Sequence, residues 1–284
     1  MPSQLVWLIT GTSSGLGRDL TLAALKRGDK VIATGRGRSM SKLDDLKAKG
    51  ADTLELDVTS PLESLKETAK KAVAIHGRIN VLVNNAGYIL VGAIEESTPE
   101  ETLEQFNTNV FGALNVTRAF LPYMREKKTG TVVFIGSLVG WREVPYAGLY
   151  ATTKYALRGI SESLNAEISP LGLRSICIDF GAFRTSFLSA DQRSPPVARI
   201  PDYRPIHDKS EASLQANNGN QPGDPLKGVE AIVDVVRGEG AAAGKVFPPG
   251  LALGTDCYNV IKTESEKILT RIEEWKEVSL STDF

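Results

Sequence analysis

The chain has 284 residues, 42% hydrophobic and 24% charged, and its 33 basic and 34 acidic residues leave a net charge of −1. That is ordinary globular composition, and it supplies no basic field to hold nucleic acid or an anionic membrane. Two cysteines, Cys177 and Cys257, are too few for a disulfide framework or a four-cysteine zinc site, so a reduced, soluble, cytoplasmic protein is expected.

Taken in chain order, short apolar runs alternate with longer segments of helical period, which predicts an α/β fold with a parallel sheet wrapped by helices. The first run, Leu5–Thr10, is too short for a secretory signal core and reads as a strand. A helical face follows over Gly15–Arg27, built on Leu16, Leu20, Ala23 and Ala24 and stopped by Gly28. Strands are predicted at Lys30–Thr34 and Thr53–Leu56, and Pro61 opens a helix to His76. The uncharged stretch Ile79–Ile94 is shorter than a membrane helix needs and carries Asn84 and Asn85, so only Ile79–Val83 is read as a strand. Pro99 opens a helix over Glu100–Arg125, and strands follow at Thr131–Gly136 and Arg174–Asp179 around a helix at Tyr150–Ser169. A short strand at Lys245–Phe247 would bring the sheet to about seven, and Leu251–Trp275 ends in a mixed-charge helix. Six of the 14 prolines fall between Pro195 and Pro225, among polar residues such as Asp191, Gln192 and Arg193. One domain over 1–284 is expected, with an insertion at 186–227 acting as a lid. Its prolines argue against a long helix there, and Leu188, Val197, Ile200, Tyr203, Ile206 and Leu214 offer apolar contacts to what it covers.

The first strand runs into Thr10-Gly11-Thr12-Ser13-Ser14-Gly15-Leu16-Gly17 and then a helix. Glycines there permit a tight turn and close approach to a pyrophosphate, and the helix N-terminus offers unpaired N–H groups to phosphate. The second strand ends at Arg36-Gly37-Arg38, with no carboxylate before Asp44. NAD-binding folds place an acidic residue there for the ribose 2′-OH, whereas arginine suits a 2′-phosphate through its planar fork. NADP(H) is therefore favoured over NAD(H). Tyr150 and Lys154, one helical turn apart, share a face. A ketone reduced by hydride needs a proton at its oxygen, and an ammonium near a phenol, ordinarily of pKa ~10, should lower that pKa. Ser137 stands thirteen residues before Tyr150, with no Gly-x-Ser-x-Gly elbow around it, so it reads as a hydrogen-bond donor and not a nucleophile. His76 and His207 belong to no cluster at ligand spacing, and no metal is expected.

In this order, Thr10–Gly17, Asp57-Val58, Asn84-Asn85-Ala86-Gly87, Asn109, Ser137, Tyr150-x-x-x-Lys154 and Gly181–Thr185 resemble the short-chain dehydrogenase/reductase family, over roughly Leu5 to Phe187. The resemblance implies a Rossmann-type doubly wound sheet with helices on both faces. It implies a catalytic set of Asn109, Ser137, Tyr150 and Lys154, with Tyr150 as general acid/base and Asn109 bending its helix and holding a relay water. Cofactor contacts are implied for Gly11, Thr12, Ser13, Ser14, Gly15, Leu16 and Gly17, for Arg36, for Asp57 and Val58 at adenine, and for Asn84, Ala86 and Gly87. Tyr150 and Lys154 would also touch the cofactor, as would Gly181, Phe183 and Thr185 at the nicotinamide. Many NADP-using relatives carry a basic residue where Ser14 stands, and most members have proline where Phe180 stands. Asp57 reads equally well as a turn residue before Pro61. Leu138, Val139, Trp141, Val144, Tyr146 and Phe187 would wall an apolar substrate pocket for a hydrophobic ketone, aldehyde or secondary alcohol. The variant Gly181–Thr185 is most similar to hydroxysteroid-dehydrogenase-like and retinol-dehydrogenase-like members, and since family members often pair, a homodimer or homotetramer is expected. Two rivals are weighed: a non-catalytic NADPH-binding sensor or scaffold, which predicts a broken Ser/Tyr/Lys set, and a nucleotide-sugar epimerase, which has a different glycine turn.

Overall fold

Val6, Trp7, Leu8 and Ile9 are all fully buried, because the strand they form, β1 (Val6–Ile9), lies inside a sheet covered on both faces. Such strands read as continuous apolar runs, not as alternation. The computed structural model describes residues 4–189, 193–194 and 198–284; Asp191, Gln192, Pro195 and Val197, named above, lie outside the described residues. Among the described residues, β1 is joined by β2 (Lys30–Gly35), β3 (Asp52–Glu55), β4 (Val81–Asn84), β5 (Gly130–Ser137), β6 (Leu173–Phe180) and β7 (Gly250–Leu253). They form one seven-stranded sheet in the order β3-β2-β1-β4-β5-β6-β7, with every pairing parallel. The order reverses between β1 and β4, which is where such sheets open a crevice at the carboxyl ends of their strands.

The helices are α1 (Gly15–Lys26), α2 (Asp44–Ala48), α3 (Leu62–His76), α4 (Pro99–Phe106), α5 (Ala113–Lys127), α6 (Gly148–Ile168), α7 (Arg204–Asn217), α8 (Pro225–Arg237), α9 (Thr255–Glu274) and α10 (Lys276–Leu280). On one sheet face Leu8, Ile32 and Phe134 pack with Leu65 of α3, Phe120 of α5 and Leu157 of α6. On the other, Trp7, Ile9 and Ile178 pack with Leu20 of α1 and Val229, Ile232 and Val233 of α8. Burial of one such side chain stabilises the fold by about 1.5–3 kcal/mol, so these two layers dominate its stability.

Four expectations are corrected. Lys245–Phe247 is not a strand; Pro248 and Pro249 follow it, and pairing with β6 begins only at Gly250. The helix expected over Glu100–Arg125 is broken by a π-helical segment, Asn107–Gly112, between α4 and α5. The insertion does contain a helix, α7, whose Pro205 sits in the first turn where no N–H partner is needed. Its far end lies before Lys227, since α8 starts at Pro225 under an Asp224 cap that accepts from Leu226 N at 2.9 Å.

Candidate active site

One cavity of about 1140 Å³ runs along the carboxyl ends of the strands. Its walls come from Gly11 after β1, Arg36 after β2, Asp57 after β3, Asn85 after β4, Ser137 at the end of β5 and Gly181 after β6. Ser13, Ser14, Gly15 and Leu16 line it too, as do Val58, Ala86 and Gly87. The glycine turn is tightly set. Gly11 has φ +69°, and a Cβ there would sit 2.9 Å from Ala86 Cα. Gly15, φ +55°, opens α1 toward the cavity. This is a cradle that side chains would fill, and it fits a dinucleotide pyrophosphate at a helix N-terminus.

Of Gly11–Gly17, two residues do not reach the cavity. Thr12 is fully buried, and its N–H and hydroxyl both donate to Thr34 O at 3.0 Å, tying the turn to β2. Gly17 is a packing position; a Cβ there would lie 2.4 Å from Asn85 Nδ2. Asn84 is likewise structural, donating to Thr117 Oγ1 at 2.9 Å, whereas Asn85 lines the cavity and bonds Thr10 O and Gly11 O. Asp57 both lines the cavity and accepts from Thr59 N and Oγ1 at 2.9 and 2.8 Å, so its turn role is realised. At this end Arg36, Arg38 and Lys42 line the wall, and none of them forms an ion pair among the described residues.

At the other end stand Ser137, Tyr150 and Lys154. The β5 strand ends on Ser137, and one face of α6 carries the other two. Lys154 Nζ donates to Ile135 O at 2.7 Å and lies 5.5 Å from the Tyr150 ring centroid. Burial pushes the Tyr150 phenol well above its ordinary range, with the Ser137 hydroxyl working in the opposite direction. A lysine-lowered phenol was expected; with the ammonium bonded to a backbone carbonyl, desolvation wins. Burial also pulls the Lys154 ammonium down to about 8, although the neighbouring Cys177 and Asp179 side chains raise it. A neutral phenol beside a cation suits proton donation to a developing alkoxide.

Asn109 is 2% exposed and does not line the cavity. Its side chain donates to Tyr88 O at 3.0 Å and Thr153 Oγ1 at 3.2 Å and accepts from Tyr88 N at 3.1 Å. The amide ties the π-helical segment to the Tyr88 backbone and to Thr153 of α6. Leu138, Val139, Val144 and Phe187 line the substrate end, with the Phe187 ring 6.0 Å from Tyr150. Tyr146 does not: held at φ 71°, it is buried with its ring edge-on to His207 at 5.2 Å. Trp141 also turns away, donating to Asp179 Oδ2 at 2.9 Å beneath the Arg158 guanidinium.

Two supporting carboxylates were missed. Asp179 is 2% exposed and its Oδ1 accepts from Ser137 N at 2.9 Å, which anchors the serine from below; burial raises its pKa. Its signal was an acidic residue directly after the buried run Ile176-Cys177-Ile178. Asp256 Oδ2, from the first turn of α9, accepts from Ala182 N at 2.6 Å, and Gly181 N donates to Leu253 O at 2.8 Å. These bonds fix the turn where proline is usual. Phe180 instead packs its ring against Phe183 at 4.8 Å, and Gly181, Phe183 and Thr185 all reach the cavity.

The family model described as "short chain dehydrogenase" matches residues 5–195. The chain belongs to that family. This short-chain dehydrogenase/reductase is 31% identical to "Oxidoreductase BOA17" of Botryotinia fuckeliana over 281 residues, 98% of each chain. It is 30% identical to "Retinol dehydrogenase 8" of Homo sapiens over 247 residues, 81% of this chain and 76% of that one. A solved short-chain dehydrogenase from Streptomyces avermitilis superposes with TM-score 0.88 at 38% identity, covering 99% of this chain and 100% of that one. As a member, the short-chain dehydrogenase/reductase is an oxidoreductase that takes a nicotinamide cofactor. No helix among its described residues is long and apolar enough to cross a membrane.

Proposed function

We propose that this enzyme is an NADP(H)-dependent carbonyl reductase or alcohol dehydrogenase, acting on a hydrophobic ketone, aldehyde or secondary alcohol. The observation that carries the reading is a single cavity with the glycine turn in its wall, Arg36, Arg38 and Lys42, which pair with no carboxylate among the described residues, and Ser137, Tyr150 and Lys154. The nicotinamide, when bound, supplies or accepts the hydride. In reduction, Tyr150 gives its phenol proton to the carbonyl oxygen as that oxygen gains negative charge. Ser137 donates a hydrogen bond to the same oxygen, an interaction that strengthens as charge develops. Lys154, held by Ile135 O, supplies a positive charge that favours the phenolate left on Tyr150. Oxidation of the alcohol reverses each transfer. Leu138, Val139, Val144, Phe187 and Leu214 exclude water from this end. Similarity to a relative named for retinol, an apolar alcohol, supports the substrate class.

Arg36 is assigned to the 2′-phosphate, as a planar donor at the end of β2. Arg36→Asp should weaken NADPH binding far more than NADH binding, because the carboxylate repels one and can bond the other's ribose. Titration of both cofactors, with a consumption screen over hydrophobic ketones and aldehydes, tests the reading; wild-type preference for NADH would overturn the cofactor choice.

A further inference from the structure

Arg142 lines the cavity from the loop between Ser137 and α6, is exposed, and pairs with no carboxylate among the described residues. Of the other cations in the wall, Arg36, Arg38 and Lys42 follow β2, Lys154 donates to Ile135 O at 2.7 Å, and Arg193 is paired with Glu211. In the sheet β5 lies three strands from β2, roughly 14 Å at the usual strand spacing. Arg142 therefore stands apart from the cations at the 2′-phosphate end. The carboxylates of the wall are Asp57, after β3, and Glu104. Burial and then Glu104 raise the Tyr88 phenol, which Arg36 lowers, so Glu104 is grouped with Arg36 and not with Arg142. Glu143, the neighbour in sequence, does not line the cavity; its charge acts on Tyr155 of α6 and Lys267 of α9. The loop is pinned at both ends. Trp141 Nε1 donates to Asp179 Oδ2 at 2.9 Å, and Tyr146 O accepts from Gly92 N at 2.8 Å. Arg142 is thus held at the substrate end, in the same wall as Val139, Val144 and Leu188.

The planar fork of an arginine is matched by a planar anion, and one unshared cation is matched by a single negative charge; a phosphate dianion would call for a second. We propose that Arg142 receives a carboxylate carried by the substrate, so that the enzyme acts on apolar oxo acids, with the carbonyl at Tyr150 and the acid group at the loop. The apolar wall takes the carbon chain between the two ends, and Arg142, being exposed, meets a head group that keeps its contact with water. The proposal rests on the carbonyl-reductase reading and narrows its substrate class. It stands apart from the choice between NADP(H) and NAD(H).

The test is steady-state turnover of ω-oxo carboxylic acids of increasing chain length, each beside its own methyl ester, by wild type, Arg142→Met and Arg142→Glu. The reductant is NADPH or NADH, whichever binds more tightly. Each ester keeps the chain and the carbonyl and lacks the charge. At the best chain length wild type should favour the acid over its ester by about tenfold in kcat/KM at low salt, the scale of one charged hydrogen-bonded contact. Added salt should shrink that preference by screening it. Arg142→Met should abolish the preference and Arg142→Glu reverse it. Both variants should bind the cofactor as wild type does, which also shows that they are folded. Equal turnover of acid and ester by wild type at every length, or a preference that survives in Arg142→Met, would overturn the proposal and leave the carbonyl-reductase reading standing. Loss of cofactor affinity in Arg142→Met would assign the arginine to the cofactor and overturn the proposal as well. Turnover of neither acid nor ester at any length, with cofactor bound, would overturn the carbonyl-reductase reading and the proposal with it.

Discussion

At the scale of single residues, the raised phenol of Tyr150 and the lowered ammonium of Lys154 give opposite tests. Tyr150→Phe keeps the ring against Phe187 but removes the proton, so turnover should fall by on the order of 10²–10⁴-fold while NADPH affinity is retained; near-normal turnover would remove Tyr150 from the mechanism. Lys154 is cationic below its pKa of about 8 and neutral above it. Reduction should therefore decline as pH rises through about 8. Lys154→Arg stays charged across that range, so its pH profile should lose this limb even though its rate is lower; an unmoved limb assigns it to another group. The glycine turn, Ser137, Tyr150 and Lys154 were legible because each is a local pattern whose chemistry needs those residue types. Asn109 was legible as an unusual mid-helix amide, but its partners Tyr88 and Thr153 lie 21 and 44 residues away, and only the fold shows what the amide bonds.

Elements were readable where apolar periodicity and breakers agreed, as at α1, α3 and α6. The π-helical segment was not, because a one-residue change of register within Asn107–Gly112 leaves the apolar pattern of α4 and α5 nearly unchanged. Prolines misled at α7, where Pro205 starts a helix instead of preventing one. The β5–β6 pair shows how one element supports its neighbour's chemistry. Asp179 on β6 holds Ser137 N at the end of β5, and Gly136 leaves room for it, since a Cβ there would meet Asp179 Oδ1 at 2.0 Å. Asp179→Ala should lower kcat about tenfold or more through a loosened Ser137, with cofactor affinity little changed, and Asp179→Asn, which can still accept from Ser137 N but then turns its NH₂ toward Trp141 Nε1, should recover part of it. Equal damage in both variants, or a loss of cofactor binding, would make Asp179 a stability residue only.

For the molecule as a whole, the question is whether the insertion moves. In this structure it is latched. Arg199 N and Ile200 N both donate to Glu96 Oε1 at 2.6 and 2.8 Å, Arg199 pairs with Glu101, and Ser194 N donates to Ile89 O at 3.1 Å. Leu214 and Phe187 pack against the cluster that holds Tyr150. If the insertion acts as a lid, opening it requires breaking these polar contacts. Hydrogen exchange across Ser186–Leu214 should slow when NADPH and a substrate analogue bind, and Arg199→Ala should speed exchange in the free enzyme. A segment already protected without ligand would be scaffold.

The bonds from Leu253 O to Gly181 and from Asp256 to Ala182 also bear on when the cavity can be completed during synthesis. The glycine turn, β1 and β4 are complete within the first third of the chain. The turn before Thr185, by contrast, is fixed by residues that leave the ribosome about seventy positions later. Yet β1 and α1, which flank the glycine turn, bury their apolar face against Val229, Ile232 and Val233 of α8, so both ends of the cavity are completed only when the last quarter of the chain has emerged.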